Sequence, residues 1–414
     1  MMQNNSKCSV YLWDKLVGEM ILVKEKIYFK YDSSFDMEIS PLSLPLSQTQ
    51  YEFSTYTFQE SIAGVFSDSL PDSFGMKIIQ NYFSREYENY NPNTIDKLLF
   101  IGDVSLGALS YRPAIGHSQK VNVPIVLSDA KKYKKEILQQ NSYSSLRELI
   151  DMYKSFSPAG GARQKMILSH NIEKHNFYIG EARKGDISLI VKIDESSTPN
   201  ELVDTSVEFI YSKLARKCEI NMPNTYLFED DDGFKHFAIQ RFDIDPDGER
   251  LHVHTLAGLL NFEKSTKLDY EKFMFIAKKH LFVSQEDIQE IFRRMIFNYV
   301  YNNNDDHLKN HSFIMSKKGK WRLSPAYDLM YNNTNGQREM MMSINSKSSH
   351  DVKYNDFKVL AKSYKVENYR EIIEKVLASK KYFEILLDKY LDNTKKYDKL
   401  LLLNTREIVL RGEV

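Results

Sequence analysis

The segment NNNDDHLKNHSFIM, residues 302–315, sets two acids, two histidines and four asparagines ahead of an apolar run. His307 and His311 are spaced i, i+4, as zinc-binding pairs on a helix are, but Leu-Lys-Asn lies between them. The glutamate that serves as general base in H-E-x-x-H is missing, so a zinc hydrolase does not follow. Asp305 and Asn310 offer a different chemistry. In phosphoryl-transfer loops an aspartate at this spacing orients or deprotonates the attacking hydroxyl, and the asparagine oxygen ligates magnesium. Taken alone, the same pair also suits a capped, hydrogen-bonded turn.

Asp328, in LSPAYDLM, stands between an aromatic and an apolar residue. Burying a bare carboxylate costs several kcal/mol, so Asp328 must be paired or metal-bound. A structural salt bridge meets that need, and so does magnesium, which takes hard oxygen ligands and keeps sites for water and phosphate. Lys192 lies in the apolar strand SLIVKID, where a lysine is rarely buried without a partner. It could neutralise the α- and β-phosphates of a nucleotide, or lift its head into water at a sheet edge. Glu208, on the helix that follows, is the candidate partner for that lysine, with Glu201 as competitor. Both suit a solvated helix face equally well.

Two loops could complete such a site. SPAGGARQK lacks the G-x-x-x-x-G-K-[ST] of a P-loop. Gly160 and Gly161 would still let backbone N–H groups approach phosphates, and Arg163 or Lys165 would add charge. A plain hairpin turn uses two glycines as readily. In AIQRFDI, Gln240 and Phe242 offer main-chain polar groups to an adenine edge. The same strand reads as core, with Arg241 and Asp243 as structural charges.

The elements that must hold these residues follow from periodicity. SVYLW, KLVGEMILV and KIYFKY read as strands, with Asp14 in a tight turn between the first two. A turn-rich loop then enters an amphipathic helix near Pro71, with Asp68 and Ser69 as its capping candidates. LLFIGDVSLGALSYRP reads as a helix end followed by a strand. Residues 121–145 form a polar connector with one short helix. ISLIVKID and HFAIQRFDI are buried strands, and Leu202, Val203, Val207, Ile210 and Leu214 mark a helix between them. Beyond residue 255 the pattern is mainly helical. At 414 residues the chain exceeds one ordinary core, and the composition shifts suggest divisions at 1–120, 121–245 and 246–414.

With 42% apolar and 27% charged residues the chain is globular. Lys+Arg and Asp+Glu both number 56, so no global attraction to nucleic acid or anionic lipid is written in the composition. Cys8 and Cys218 suggest neither a disulfide framework nor a zinc site. The polar N-terminal stretch lacks a signal-peptide core, and no run approaches the ~20 apolar residues of a membrane span. A soluble protein of a reducing compartment, the cytoplasm, is the expectation.

In order along the chain, VFSDSLPDSFG, FIGDVSLGALSYRP, GGARQK, LIVKI, QRFD, RLH, NNDDHLKN and LSPAYDLM resemble the HipA family of serine/threonine kinases, toxins of bacterial toxin–antitoxin pairs. The resemblance spans nearly the whole chain. It implies an α+β, two-lobed, protein-kinase-like fold with an N-terminal β-rich subdomain and a mainly helical C-terminal lobe. It aligns Asp305 with the catalytic base, Asn310 and Asp328 with the magnesium ligands, and Lys192 with the phosphate-binding lysine. Gly160, Gly161, Ala162, Arg163, Gln164 and Lys165 match the loop covering the phosphates, and Gln240, Arg241 and Phe242 the adenine-binding hinge. His307 and Lys309 align with further nucleotide contacts, while Asp306 and His311 read as structural.

Three departures stand out. The serine that relatives autophosphorylate has Pro158 at its aligned position, which leaves Ser157, one residue earlier, as the candidate. Gln240 replaces a frequent acidic residue. His254 and Thr255 replace a common acidic pair. The expected activity is ATP- and Mg²⁺-dependent phosphorylation of a host protein, some relatives acting on translation proteins. A helix-turn-helix, HipB-like antitoxin is the expected partner, with DNA contacted only through it and no membrane involved. A catalytically silent nucleotide- or antitoxin-binding protein and a small-molecule kinase are the alternatives.

Overall fold

The computed structural model describes residues 6–53, 59–71, 73–87, 90–115, 123–130, 165–179, 182–183, 185–199, 202–332, 339–391 and 398–409. Its first part is a five-stranded antiparallel sheet in the order β4-β3-β2-β1-β5. The strands are β1 (Lys7–Leu12), β2 (Lys15–Val23), β3 (Lys26–Tyr31), β4 (Gln50–Glu52) and β5 (Leu109–Arg112). Trp13 and Asp14, then Lys24 and Glu25, take left-handed φ in two-residue turns, the twist that matches paired strands. The inward residues Val10, Leu12, Met20 and Phe29 are fully buried.

Three helices cover this sheet: α1 (Gly64–Ser67), α2 (Ser73–Glu86) and α3 (Thr94–Ile101). Asn93 and Asp96 form a capping box at the start of α3, and Gly102 ends it with φ 58°. Asp68 and Ser69 do not cap α2, contrary to the expectation from sequence. Asp68 closes α1 and bonds the distant His254 and Thr255, while Ser69 meets the Tyr111 hydroxyl at 2.8 Å.

A second, six-stranded sheet runs β10-β11-β9-β7-β8-β6. Its strands are β6 (Val123–Ile125), β7 (Lys165–Asn171), β8 (Asn176–Ile179), β9 (Asp186–Lys192), β10 (Thr225–Glu229) and β11 (Lys235–Gln240). The stretch anticipated as a connector thus supplies an edge strand, β6, paired antiparallel with β8. Helix α4 (Asp204–Lys217) packs against β10 and β11, and Lys192 lies opposite Phe237 in the sheet register.

The rest is largely helical: α5 (Leu256–Leu260), α6 (Tyr270–His280), α7 (Gln285–Val300), α8 (Tyr354–Ser363), α9 (Tyr369–Ala378), α10 (Lys380–Tyr390) and α11 (Lys399–Leu403). Two small sheets interrupt them. One joins β12 (His252–Thr255), β14 (Ser312–Met315) and β15 (Trp321–Leu323); the other pairs β13 (Leu268–Asp269) with β16 (Met342–Ser343). Two apolar clusters underlie the whole. One runs from the first sheet into one face of the second through Met166, Leu168, Leu189 and Val191. The other joins α4 to the helical lobe through Tyr211, Leu214, Phe297, Tyr301 and Phe383. The architecture is two-lobed α+β, as anticipated. Among the described residues no helix is long and apolar enough to cross a membrane.

Candidate active site

Strand β9 ends at the junction of the lobes and delivers Lys192, which is only 7% exposed. Its ammonium donates to both carboxylate oxygens of Glu208, at 2.7 and 2.6 Å, and to Asp328 Oδ1 at 2.5 Å. Glu208 projects from the middle of α4, one helical element away in sequence, and Asp328 follows β15. Three separate stretches therefore meet at one nitrogen. Burial pulls the Lys192 ammonium down, but Asp328 and Glu208 more than offset it, and the lysine stays charged. Burial would push the Asp328 carboxyl up; Lys192 and then Lys165 outweigh it and hold the group well below the carboxylate range. Lys165 faces Lys192 across the β7–β9 ladder, which concentrates positive charge over the two acids.

Asp328 takes left-handed backbone with φ 56°, a conformation L residues with a Cβ seldom adopt. Its neighbours hold it there. The Tyr327 hydroxyl donates to the Lys309 carbonyl at 2.8 Å and meets Ser312 Oγ at 2.5 Å, and Ala326 N donates to Asn221 O at 2.8 Å. Phe242 stacks on Tyr327 with centroids 5.5 Å apart, tying the end of β11 to the turn that carries Asp328.

The segment after α7 answers why so many polar residues cluster there. Asn302, Asn303 and Asn304 are buried and bond inward: to the Asn404 carbonyl at 2.7 Å, to Asn298 Oδ1 at 2.9 Å and from Arg406 at 2.9 Å. Asp306 accepts from the Tyr270 hydroxyl at 2.8 Å, Met341 N at 2.9 Å and Met342 N at 3.2 Å. Burial still raises its carboxyl to about 7. These groups pin the loop and leave Asp305, His307 and Asn310 half-buried on its other side. Asn310 Nδ2 donates to the Asp305 carbonyl at 2.9 Å, which orients the amide with its oxygen directed away from that bond.

His307 sits among the acids. Burial lowers its imidazole although Asp305 and Asp328 draw it up, and its Nδ1 is a buried atom without a hydrogen-bond partner. His311 is buried against Phe273, with rings 4.9 Å apart, and burial brings it down to about 3. Among the described residues no three His, Cys, Asp or Glu side chains gather as a metal cage. Magnesium asks for less: one or two carboxylates, with phosphate and water filling the octahedron. The Asp328 carboxylate and the Asn310 amide oxygen fit that demand, and the orphaned His307 nitrogen leaves a donor or acceptor for a ligand.

Not every residue singled out in the sequence joins this group. Gly160, Gly161, Ala162, Arg163, Gln164 and Ser157 lie outside the described residues, as does Glu201. The Gln240 side chain accepts from Asn224 Nδ2 at 3.0 Å. Arg241 is committed to Asp243, at 2.9 and 2.6 Å, and Asp243 also accepts from Gly107 N at 2.8 Å. That set joins the second sheet to the N-terminal subdomain. Burial lowers Lys309, whose charged neighbours are Asp68, Glu263 and Lys264.

His254 and Thr255, which stand where an acidic pair is common, bind Asp68: Nδ1 at 2.7 Å, the Thr255 amide at 2.8 Å and its hydroxyl at 2.7 Å. Asp68 and Arg406 are contacts that sequence reasoning missed. Nothing local marks either, because their partners lie far along the chain.

The HipA N-terminal domain family profile matches residues 8–112, and the HipA-like C-terminal domain profile residues 157–381. A putative kinase of Haemophilus influenzae is 34% identical over 103 residues, 23% of this chain and 30% of its own length. The putative kinase Y4dM of Sinorhizobium fredii is 31% identical over 135 residues, 30% of this chain and 33% of its own length. The matched stretches thus span about a third of each of these curated relatives. The HipA of Shewanella oneidensis, solved with HipB and operator DNA, superposes with a TM-score of 0.66 at 16% identity, covering 96% of this chain and 94% of that one. At that identity the likeness is one of fold.

Proposed function

The chain belongs to the HipA family, and we propose that it is an ATP- and Mg²⁺-dependent serine/threonine protein kinase, the toxin of a toxin–antitoxin pair. The observation that carries this reading is the convergence of Glu208 and Asp328 on Lys192. A buried lysine held by a helix glutamate and facing an aspartate of the opposite lobe is the arrangement that receives nucleotide phosphates in kinases.

Lys192, held rigid by Glu208, neutralises phosphate oxygens of the bound nucleotide, with Lys165 adding charge from the neighbouring strand. Asp328 and Asn310 would hold magnesium, which would supply positive charge to offset the charge that builds on the phosphates during transfer. Asp305 aligns the substrate hydroxyl and accepts its proton. The bond from the hydroxyl oxygen to the γ-phosphorus forms as the bond to the bridging oxygen breaks, and ADP leaves. His307, neutral and with an unused nitrogen, reaches the phosphates as a hydrogen-bonding group. By the family resemblance residues 160–165 are assigned to the nucleotide phosphates, and the backbone of Gln240, Arg241 and Phe242 to the adenine. Ser157 is the candidate for autophosphorylation. The partner is a HipB-like helix-turn-helix antitoxin that carries the DNA contact, in keeping with the assembly solved for the Shewanella relative.

The test is transfer of labelled γ-phosphate to proteins in a lysate by wild type, Asp305→Ala and Asp328→Ala. Wild type labels protein and both variants lose at least ~10³-fold, the scale of removing a group on which the transition state depends. Equal labelling by all three overturns the assignment. Nucleotide-dependent stabilisation without labelling would instead favour the silent binding protein.

A further inference from the structure

The HipA-like C-terminal domain profile ends at residue 381, yet the chain beyond it returns to the centre of the molecule. After α11, residues 404–408 run along the end of α7 and the loop that carries Asp305. Leu402 and Ile408 are buried in the helical-lobe core, at 1% and 7% exposure, so this strap is fastened on both sides of Arg406. Arg406 N donates to the Val300 carbonyl at 2.9 Å. Its guanidinium donates to the Asn304 side-chain oxygen at 2.9 Å, the Tyr299 carbonyl at 3.2 Å and Ser349 Oγ at 3.3 Å, and lies 5.3 Å from the Tyr299 ring centroid. A second tie joins Asn302 Nδ2 to the Asn404 carbonyl at 2.7 Å.

We infer that this strap is a working part of the active site, with Arg406 as a positioning residue that fixes Asn304 and hence the backbone presenting Asp305. Among the described residues, the Arg406 guanidinium is the strap group that bonds a side chain adjacent in sequence to the catalytic aspartate. A planar fork can hold Asn304, Tyr299 and Ser349 in one geometry, which a single ammonium cannot. The Asn304 carbonyl in turn accepts from Met341 N at 3.1 Å. The strap therefore sets the loop from one side while Asp306 sets it from the other. Chemistry at Asp305 depends on placing its carboxylate to within a fraction of an ångström, and a misplacement of 1 Å can lower the rate ~10²-fold.

This inference rests on the phosphotransfer reading for its kinetic arm, so the experiment carries a second, independent arm. In the full chain, Arg406→Ala, Arg406→Lys and, as a control on the exposed face of the strap, Glu407→Ala are compared below their melting temperatures. The readouts are kcat and the KM for ATP, and amide hydrogen exchange across 302–310. Arg406→Ala is expected to lower kcat ~10²-fold with the KM for ATP changed less than about twofold, and to speed exchange in 302–310 alone. Added guanidinium ion restores part of that kcat, Arg406→Lys retains an intermediate rate, and Glu407→Ala matches wild type.

Wild-type kcat and wild-type exchange in Arg406→Ala overturn the inference. So does a fall in kcat accompanied by faster exchange throughout the chain, no rescue by guanidinium and no retention by lysine, because Arg406 then only holds the fold. A wild type that transfers no phosphate ends the kinase reading and leaves exchange in 302–310 to decide the strap.

Discussion

Two carboxylates bind the molecule's parts together, and they do so in opposite ways. Asp68 joins α1 to β12 and α5, accepting three hydrogen bonds from His254 and Thr255. On the far side of His254, Nε2 meets Ser40 Oγ at 2.8 Å, so serine, histidine and aspartate stand at the distances of a nucleophilic triad. Yet Ser40 and His254 are each 0% exposed. Gly64 packs so closely on Gly258 that an added Cβ would lie 1.9 Å from the Gly258 carbonyl oxygen. No substrate reaches that serine. Asp328 is the contrary case: its side chain is 29% exposed, one oxygen is held by Lys192, and a neighbouring histidine nitrogen is unpaired. Distances alone do not separate a joint from a site. Saturated, sealed acceptors make a joint, and unspent capacity at a partly exposed carboxylate makes a site.

The largest effect that sharpens this contrast is at Lys192. Lys192→Met leaves Glu208 and Asp328 facing each other without the ammonium that bonds both, and with the charge of Lys165 nearby. Phosphate transfer is expected to fall at least ~10²-fold, and stability by about 3–5 kcal/mol, the usual result of breaking a buried ion pair from one side. Pairing it with Glu208→Leu removes the stranded charge and returns much of the stability in a denaturant titration, with transfer still lost. Activity that returned along with stability would make the group another joint.

Asp68→Ala comes next. It strips three donors of their acceptor, and urea unfolding should show a loss of about 2–4 kcal/mol. Below the melting point, transfer should fall far less than in Lys192→Met. A larger kinetic than thermodynamic effect would erase the distinction drawn between the two carboxylates.

These two acids also mark what could be read along the chain. Strand β9 and helix α4 follow from alternation and a 3.6-residue rhythm, so Lys192 and Glu208 were placed as candidates by local pattern. Asp328 stood out as a carboxylate in apolar company. Asp68 was read as a helix cap because capping and cross-chain anchoring use the same side chain, and only the fold brings His254 to it. Arg406 carried no signal, since its partners are about a hundred positions upstream. Gln240 and Phe242 were chosen for their backbone, and Arg241 and Asp243 also read as structural charges, which they are; nothing in the sequence discloses that the Gln240 side chain is spent on Asn224. Edge strand β6 was missed because three residues are too few to show a period.

A smaller effect probes the joint through pH. His252 bonds the Ile39 carbonyl at 2.9 Å within the same seam, and burial, aided by His254, brings its imidazole down to about 4. An unfolded histidine protonates near ~6.5, so between about 6.5 and 4 the unfolded state binds the extra proton. His252 therefore contributes fully above that window and loses up to about 3 kcal/mol as the pH falls through it. Asp306, raised to about 7 by burial, acts in the opposite sense, favouring the fold as its carboxyl protonates. Subtracting the pH–stability curve of His252→Gln from that of wild type cancels Asp306 and should leave an acid limb due to His252. A flat difference would show that the seam tolerates the charge.

The convergence at Lys192 is tested most directly by calorimetric titration of ATP with and without magnesium into wild type, Asp328→Asn and Asp305→Ala. Magnesium should tighten ATP binding to wild type and to Asp305→Ala, which keeps the ligands and loses only the base. Asp328→Asn should lose most of that dependence. Magnesium-dependent binding that survives in Asp328→Asn, or that vanishes in Asp305→Ala, would contradict the roles given to both residues.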